Sequence, residues 1–454
     1  MSLHIIILAA GEGTRMHSER PKVLHAVGGK PMLGHVLDRA AELQPDGLHV
    51  VVNPDAAAVP AAFADASVQW VPQAERLGTG HAVMQAMPAI PDEADVLVLY
   101  GDIPLLDATS LQALRAAHES ALTLLTMRPA SAAGYGRVLR DGKGAVQAIV
   151  EERDATPEQR LIQEVNSGIL MACAADLRAW LNQLGNHNSQ GEYYLTDVVA
   201  MARAEGKAIG SVLAADAERL EGANDRIQLA ALERRYQRLQ AEALMQAGVT
   251  LADPQRFDQR GAVQAGRDVT IDVNVVLEGE ITLGDGVSIG PGCVLRDCQL
   301  APGTRVHAHS VLEGARSTGA CDIGPFARVR PGTVLAAGTR VGNFVETKNT
   351  TLGPDSKASH LTYLGDCKVG TAVNIGAGTI TCNYDGVNKF QTVIEDGAFI
   401  GSDSQLIAPV TVGKNATIGA GSTISKDAPA EQLTLSRSRQ SSVAGLKRPR
   451  KKES

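Results

Sequence analysis

From Val269 an apolar residue returns at every sixth position: Val269, Val275, Ile281, Val287. A second row runs beside it at Ile271, Leu277, Leu283, Ile289 and Leu295. The count resumes at Ile323, Val329, Leu335 and Val341, and again at Ile400, Leu406, Val412, Ile418 and Ile424. Glycine, small and polar residues fill the gaps. A period of six is neither the 3.6 of a helix nor the 2 of an isolated strand. It is the period of a parallel β-helix, in which each hexad is one short strand plus a turn and the apolar residue points into the prism. Three hexads close one coil. The stretch after Val249 therefore predicts roughly ten coils stacked at about 4.8 Å.

The remaining half must fold on its own, and at 454 residues the chain has room for two or three cores. A net charge of −7 argues against a nucleic-acid partner. Aromatic residues are only 3% while Gly numbers 46, which suits a solenoid with small turns. The six cysteines form no Cys-x-x-Cys pair and no zinc spacing. There is no basic leader and no run of about 18 apolar residues. The expectation is a cytoplasmic protein with reduced thiols and no membrane insertion.

Ile5 to Ala10 is a continuous apolar run, as expected of a buried parallel strand. It passes directly into Gly11-Glu12-Gly13-Thr14-Arg15-Met16. A Gly-rich loop after a first strand lets backbone N–H groups approach an anion, and Arg15 adds a fixed cation. Met16 breaks the dinucleotide fingerprint and no Gly-Lys-Ser/Thr follows, so neither familiar phosphate motif is present. The loop alone is equally compatible with an ordinary strand-to-helix turn. Lys22, on a Pro-stiffened segment, places a second cation just downstream. Strands are expected at Leu48–Val52, Val68–Val71, Val96–Tyr100 and Leu122–Thr126, alternating with helices such as Met32–Leu43, which predicts a doubly wound α/β domain. Asp102 follows the strand that ends at Tyr100. It faces the ligand crevice and suits a hard Mg²⁺ ion, or it caps the next segment.

The pattern Leu-Ala-Ala-Gly-x-Gly-Thr-Arg-Met followed by Pro21-Lys22 resembles the sugar-nucleotidyltransferase family. Gln73 to His81, Tyr100-Gly101-Asp102, Gly134 to Arg137, Ile149-Val150-Glu151, Asn166-Ser167-Gly168, Gly191 to Asp197 and Gly222-Ala223-Asn224 fall in family order. Together they resemble the bacterial bifunctional N-acetylglucosamine-1-phosphate uridylyltransferase / glucosamine-1-phosphate N-acetyltransferase family. That resemblance implies an α/β, Rossmann-like pyrophosphorylase domain over residues 1–226. It places Leu8, Ala9, Ala10 and Gly11 on the uracil and ribose side, with Gln73, Gly78 and Thr79 reading the base. Arg15 and Lys22 carry the phosphates and act in catalysis. Tyr100 and Gly101 join the nucleotide-sugar site, where Gly136, Glu151 and Asn166 hold the sugar. Asp102 and Asn224 hold Mg²⁺. The chemistry fits: transfer from UTP to a sugar phosphate joins two polyanions, so cations, a metal and positioning suffice and no protein nucleophile is needed. Glu12 departs from the family, which usually carries Lys there, and is given no phosphate role.

From about Asp225 the pattern turns helical, with Ile227, Leu232, Tyr236, Leu239 and Leu244 at helical spacings and Gly248 as the stop. This reads as a long linker helix, residues 227–247. The β-helix, residues 248–454, follows. A repeat is scaffold, and function sits where it breaks. The break is Thr381 to Thr392, which cannot be threaded as hexads. Arg328 to Gly332, Asn343 to Lys348 and His360 to Asp366 lie near it and match the same family.

The resemblance implies a left-handed β-helix, an exception to the right-handed crossover rule, and a homotrimer with acyl-CoA between neighbouring subunits. Arg330 and Lys348 bind the phosphate of glucosamine 1-phosphate; Tyr363, Asn374 and Asn383 orient the sugar; Lys389 and Glu346 assist. His360 is the general base, because imidazole titrates close to working pH. Ala377, Asn383, Tyr384, Ser402, Ala420 and Arg437 contact acetyl-CoA. A lone His is ordinarily a satisfied surface residue, but His360-x-x-Tyr363 has two upstream cations and the broken repeat beside it. His25, His307 and His309 lack that setting and read as structural. The basic run Leu446 to Lys452 is a solvated end or a lure for the phosphates of CoA.

The function so implied is acetyl-CoA-dependent acetylation of glucosamine 1-phosphate, then Mg²⁺-dependent uridylyl transfer from UTP with release of pyrophosphate. The product, UDP-N-acetylglucosamine, is a precursor of peptidoglycan and lipopolysaccharide. Two other readings compete: a nucleotidyltransferase whose β-helix only oligomerises it, and a regulatory β-helix with a vestigial nucleotide domain. His360, Arg330, Lys348 and the broken repeat argue against the first. The intact Gly11, Gly13, Arg15, Lys22 and Asp102 set argues against the second.

Overall fold

The computed structural model describes residues 2–448. The chain divides into two compact units between Tyr236 and Gln237.

The first unit is built on a sheet of seven strands in the order Ile209–Leu213, Leu122–Met127, Val165–Cys173, Asp95–Tyr100, Leu3–Leu8, Gly47–Val52 and Gln69–Pro72. Neighbours run parallel except Val165–Cys173, which is antiparallel to both its partners. A hairpin, Arg137–Arg140 with Val146–Val150, hangs on that reversed strand. The first strand is buried on both faces, as its unbroken apolar run requires: Ile6 joins one core cluster, Ile5 and Ile7 the other. Leu8 is in register with Tyr100, so the two strands end side by side. The Gly-rich loop and Asp102 therefore open onto one crevice at the carboxyl edge of the sheet. The helix expected over Met32–Leu43 spans Met32–Ala41.

The long helix spans Arg226–Gln246. Its first half packs into the first unit through Leu232 and Tyr236, and Ala241 and Leu244 join the core of the second. Ile227, counted above on the apolar face, is 83% exposed, because at 100° per residue it lies opposite Leu229, Leu232 and Tyr236, which pack on the core. Gly248 stops the helix in the left-handed region, at φ 98°. Buried Gln237 caps the solenoid: its amide donates to Gln259 O at 2.9 Å and accepts from Gln259 N at 2.6 Å, as a neighbouring strand would.

The second unit is a parallel β-helix. One face is an 11-stranded parallel stack, and a 17-stranded sheet covers the other two. Successive register partners on the first face are Ile271, Ile289, Val306, Ile323, Val341, Ala358, Ile375, Ile400 and Ile418. The spacing is 17 or 18 residues except from Ile375 to Ile400, where the broken repeat is accommodated. Every apolar hexad residue named above is buried in a single core running the length of the prism. Each such side chain contributes about 1.5–3 kcal/mol by leaving water. All six cysteines are free.

Candidate active sites

In the first unit Lys22 is the hub. Its ammonium donates to Asp102 Oδ2 at 2.5 Å and to Asn224 Oδ1 at 3.2 Å. The sequence positions are far apart, and the fold joins them: Lys22 opens the short turn Lys22–Leu24, Asp102 follows its strand, and Asn224 precedes the long helix. Gly13 makes room, since a Cβ there would stand 2.7 Å from Lys22 Cβ and its φ is +64°. Arg15 is exposed on the turn Thr14–Met16. Leu8 is half-buried and Ala9 and Ala10 are buried at the end of the strand, and Gly11 is exposed, with no atom within 4 Å of where its Cβ would stand.

The Gln73–Thr79 loop forms one wall. The buried Gln73 amide donates to Gly78 O at 3.2 Å, and Thr79 Oγ1 accepts from Leu195 N at 3.2 Å. Gly78 lies at φ +106°, with Tyr193 O 2.7 Å from where its Cβ would be. Gly136, Glu151 and Asn166 come together on the other wall. Asn166 N donates to Gly136 O at 2.8 Å, and Glu151 Oε1 accepts from Thr196 Oγ1 at 3.0 Å. Burial, with Asp197, Asp154 and Glu192 nearby, pushes the Glu151 carboxyl above its ordinary range. Tyr100 lies between the walls, its ring over Gly168, and burial pushes its phenol up.

The sequence reading missed two contacts here. Thr196 fixes the Glu151 carboxylate, and Arg76 forms an ion pair with Glu12, tying the Gly-rich loop to the Gln73–Gly78 loop. Glu12 thus has a partner of its own.

The second site straddles a corner of the prism. Asn343, His360, Ala377, Ser402 and Ala420 each stand two residues past a register-paired residue of the 11-stranded face, so they form one ladder down an edge. Coils are about 4.8 Å apart, which places Ala420 about 14 Å from His360 along the edge. Arg437 donates to Ala420 O at 2.7 Å and ends the ladder. His360 Nδ1 is 2.5 Å from Asn343 Oδ1. That oxygen only accepts, so Nδ1 carries the proton and Nε2 presents its lone pair.

Across the corner a second ladder begins. Glu346 pairs with Tyr363, and Arg330 and Lys348 follow the paired Val329 and Thr347 on adjacent coils. Arg330 Nη1 donates to Glu346 Oε1 at 2.7 Å. The Tyr363 phenol lies over Gly365, where a Cβ would meet its oxygen at 2.3 Å. The inserted loop reaches back to this face: Asn383 donates to Asp366 Oδ2 at 2.5 Å, and Asn349 donates to Asp366 Oδ1 at 2.6 Å. Lys389 comes to rest beside Lys348, and with Arg330 it holds the Lys348 ammonium below its usual range. Three cations crowded in this way match an anionic ligand. Tyr384 is exposed on the loop, its hydroxyl donating to Gly386 O at 2.5 Å. Asn374 lies three residues ahead of the corner, between Lys357 and Phe399 in register, and among the described residues no hydrogen bond joins it to the His360 group. Asn343 and Asp366 carried no role in the sequence reading. The signal for Asn343 was the coil length, since a residue 17 positions before His360 stacks on it.

His25 is buried against Arg226, and His309 stacks on Phe326, consistent with structural roles. Of the basic run Leu446 to Lys452, residues 449–452 lie outside the described residues. Among the described residues no helix is long and apolar enough to cross a membrane.

The family of MobA-like NTP transferase domains matches residues 5–187, and the bacterial transferase hexapeptide family matches residues 391–426. Similarity to whole proteins is end to end. The chain is 59% identical to the bifunctional protein GlmU of Alkalilimnicola ehrlichii over 99% of this chain and 97% of that one. It is 56% identical to the protein of that name from Xylella fastidiosa over 100% and 99% of the two chains. Against that of Stenotrophomonas maltophilia the identity is 57%, over 99% of both. With a nucleotidyltransferase scaffold at one end, a hexapeptide transferase scaffold at the other and relatives matched along their full length, the chain belongs to the bifunctional GlmU family.

Proposed function

We propose that this enzyme makes UDP-N-acetylglucosamine in two steps, one on each scaffold. The observation that carries the reading is the full-length match to a family of bifunctional enzymes. Residues 248–454 acetylate glucosamine 1-phosphate from acetyl-CoA; residues 1–226, joined by the helical linker 227–247, transfer uridylyl from UTP to the product.

In the first step Arg330, Lys348 and Lys389 bracket the sugar phosphate. His360 Nε2 takes a proton from the 2-ammonium, and Asn343 holds the ring so that this nitrogen faces outward. The freed amine attacks the thioester carbonyl; the C–N bond forms, the C–S bond breaks, CoA leaves with the proton returned from the imidazole, and the new amide nitrogen releases its second proton to solvent. The Ala377, Ser402 and Ala420 ladder gives the acyl carrier a track of small residues leading to His360. Tyr363, Asn374 and Asn383 orient the sugar, and Tyr384 and Arg437 flank the donor.

In the second step Lys22 and Arg15 hold the phosphates, Gln73, Gly78 and Thr79 the base, and Gly136, Glu151 and Asn166 the sugar. Asp102 and Asn224 both present oxygens to the Lys22 ammonium, and the same hard oxygens would hold a metal ion once Lys22 turns to the phosphates. These two residues are the Mg²⁺ ligands of the proposal. When bound, the ion offsets the negative charge on the phosphates.

An apolar ridge supports assembly into a homotrimer. Phe326 (48% exposed), Phe344 (58%) and Leu361 (61%) follow one another down the same corner, and the two phenyl rings stack at 5.5 Å. The setting is the cytoplasm, where acetyl-CoA and UTP are found. The test is a mixture of enzyme, glucosamine 1-phosphate, acetyl-CoA, UTP and Mg²⁺, followed for CoA, pyrophosphate and UDP-sugar. UDP-N-acetylglucosamine forms only when acetyl-CoA is present. Nucleotide sugar formed at the same rate without acetyl-CoA refutes the order, and light scattering that gives a mass other than three chains refutes the trimer.

A further inference from the structure

A second cluster of metal-ligating side chains lies in the first unit, away from the crevice. Asp95 opens the strand Asp95–Tyr100, and Cys173 closes its antiparallel neighbour Val165–Cys173, directly opposite in register. His118 follows the helix Ala108–Ala116 and folds over the pair. One ligand atom from each, the Asp95 carboxylate oxygen, the His118 ring nitrogen and Cys173 Sγ, lie within 4.8 Å of one another. At about 3.3 Å per residue of strand, this cluster is about 20 Å from Asp102.

The His118 side chain is only 4% exposed, and its Nε2 makes no hydrogen bond. It stands 3.5 Å from Asp95 Oδ1. The other ring nitrogen, Nδ1, is held by Thr123 Oγ1 at 3.0 Å. A buried ring nitrogen left without a hydrogen bond is costly and calls for an explanation. Here it faces a carboxylate and a thiol, and Thr123 fixes the ring as an outer hydrogen bond fixes a metal-bound imidazole. Tetrahedral Zn²⁺, with bonds of about 2.0–2.3 Å, sets its ligand atoms about 3.3–3.8 Å apart. The Asp95–His118 separation already meets that spacing.

We propose that Asp95, His118 and Cys173 form a site for a borderline divalent cation, Zn²⁺, with a water as fourth ligand. The mixed sulfur, nitrogen and oxygen set selects Zn²⁺ over the Mg²⁺ of the crevice. Binding releases the Cys173 thiol proton and fastens two strands and a helix end together.

The test uses the full chain, stripped with chelator, desalted and held in excess Mg²⁺ so that the crevice is supplied. Co²⁺ is then titrated as a spectroscopic stand-in. One equivalent per chain gives a thiolate-to-cobalt charge-transfer band in the near ultraviolet and tetrahedral visible absorption. Cys173→Ser loses the charge-transfer band, His118→Gln weakens binding at least ten-fold, and both keep wild-type pyrophosphate release, which certifies their fold. Zn²⁺ raises the melting temperature of wild type and not of His118→Gln. A wild-type protein without the band, or a band that survives Cys173→Ser, overturns the proposal.

Discussion

Replacing Asn343 by Ala removes the acceptor that holds His360 Nδ1 at 2.5 Å and leaves the rest of the corner in place. The base is still present, so the loss is one of orientation and tautomer. A net hydrogen bond is worth about 0.5–1.5 kcal/mol. At about 1.4 kcal/mol per decade of rate, kcat for acetyl transfer falls roughly 2- to 13-fold. Removing the imidazole itself, in His360→Ala, costs about 10²- to 10⁴-fold. The assay is thiol release from acetyl-CoA at saturating glucosamine 1-phosphate. Pyrophosphate release, a property of the first unit, is unchanged and serves as the internal control. Asn343→Asp sharpens the test. A carboxylate accepts the same hydrogen bond, restores the orientation and stabilises the imidazolium. The acid limb of the rate profile therefore moves to higher pH while the plateau returns toward wild type. If Asn343→Ala keeps full kcat, or Asn343→Asp leaves the pH profile where it was, Nε2 is not the base held by this contact.

Lys389→Ala removes one of the three cations that bracket the sugar phosphate. A charge-assisted contact of about 1.5 kcal/mol corresponds to roughly ten-fold in KM for glucosamine 1-phosphate, with kcat within about two-fold; an unchanged KM removes Lys389 from the site. Glu12→Gln frees Arg76 and takes a carboxylate from beside the nucleotide loop. An exposed pair is worth about 0–1 kcal/mol, so KM for UTP falls by up to about five-fold, and a rise contradicts the placement. Glu151 titrates above its ordinary range, chiefly because it is buried, so its ionised form destabilises the fold. That penalty is absent below the ordinary glutamate range and complete above the raised value. Glu151→Gln therefore raises the melting temperature at neutral pH, loses the gain in acid, and binds nucleotide sugar more weakly. A variant less stable than wild type at neutral pH refutes the sign.

The repeat was legible because one rule, a buried residue every sixth position, is obeyed by Val269 through Ile424 wherever the coil is regular, and burial follows it. The first strand was legible because Ile5 to Leu8 alternate between cores on the two faces of the sheet, while its one polar residue, His4, is buried against His49. Ile227 misled because its five-residue step to Leu232 is a 140° turn, which puts it off the face that Leu229, Leu232 and Tyr236 bury. The reversal of Val165–Cys173 carries no sequence mark, since the stretch that pairs inside the sheet, Leu170 to Ala172, is as apolar as a parallel strand. Single residues followed the same division. His360, Lys22 and Asp102 stand in recognisable motifs. Asn343, Arg76 and Thr196 act through partners on neighbouring coils or loops, and only the fold shows which partners those are.

The measurement that bears most directly on the two-scaffold account is a crossed assay of Asp102→Asn and His360→Ala. CoA release from acetyl-CoA and glucosamine 1-phosphate is followed in one arm, and pyrophosphate release from UTP and N-acetylglucosamine 1-phosphate with Mg²⁺ in the other. The account predicts that Asp102→Asn abolishes pyrophosphate release and spares CoA release, that His360→Ala does the reverse, and that a mixture of the two variants makes UDP-N-acetylglucosamine from glucosamine 1-phosphate. Loss of both activities in either variant, or a wild type that releases no CoA, contradicts it.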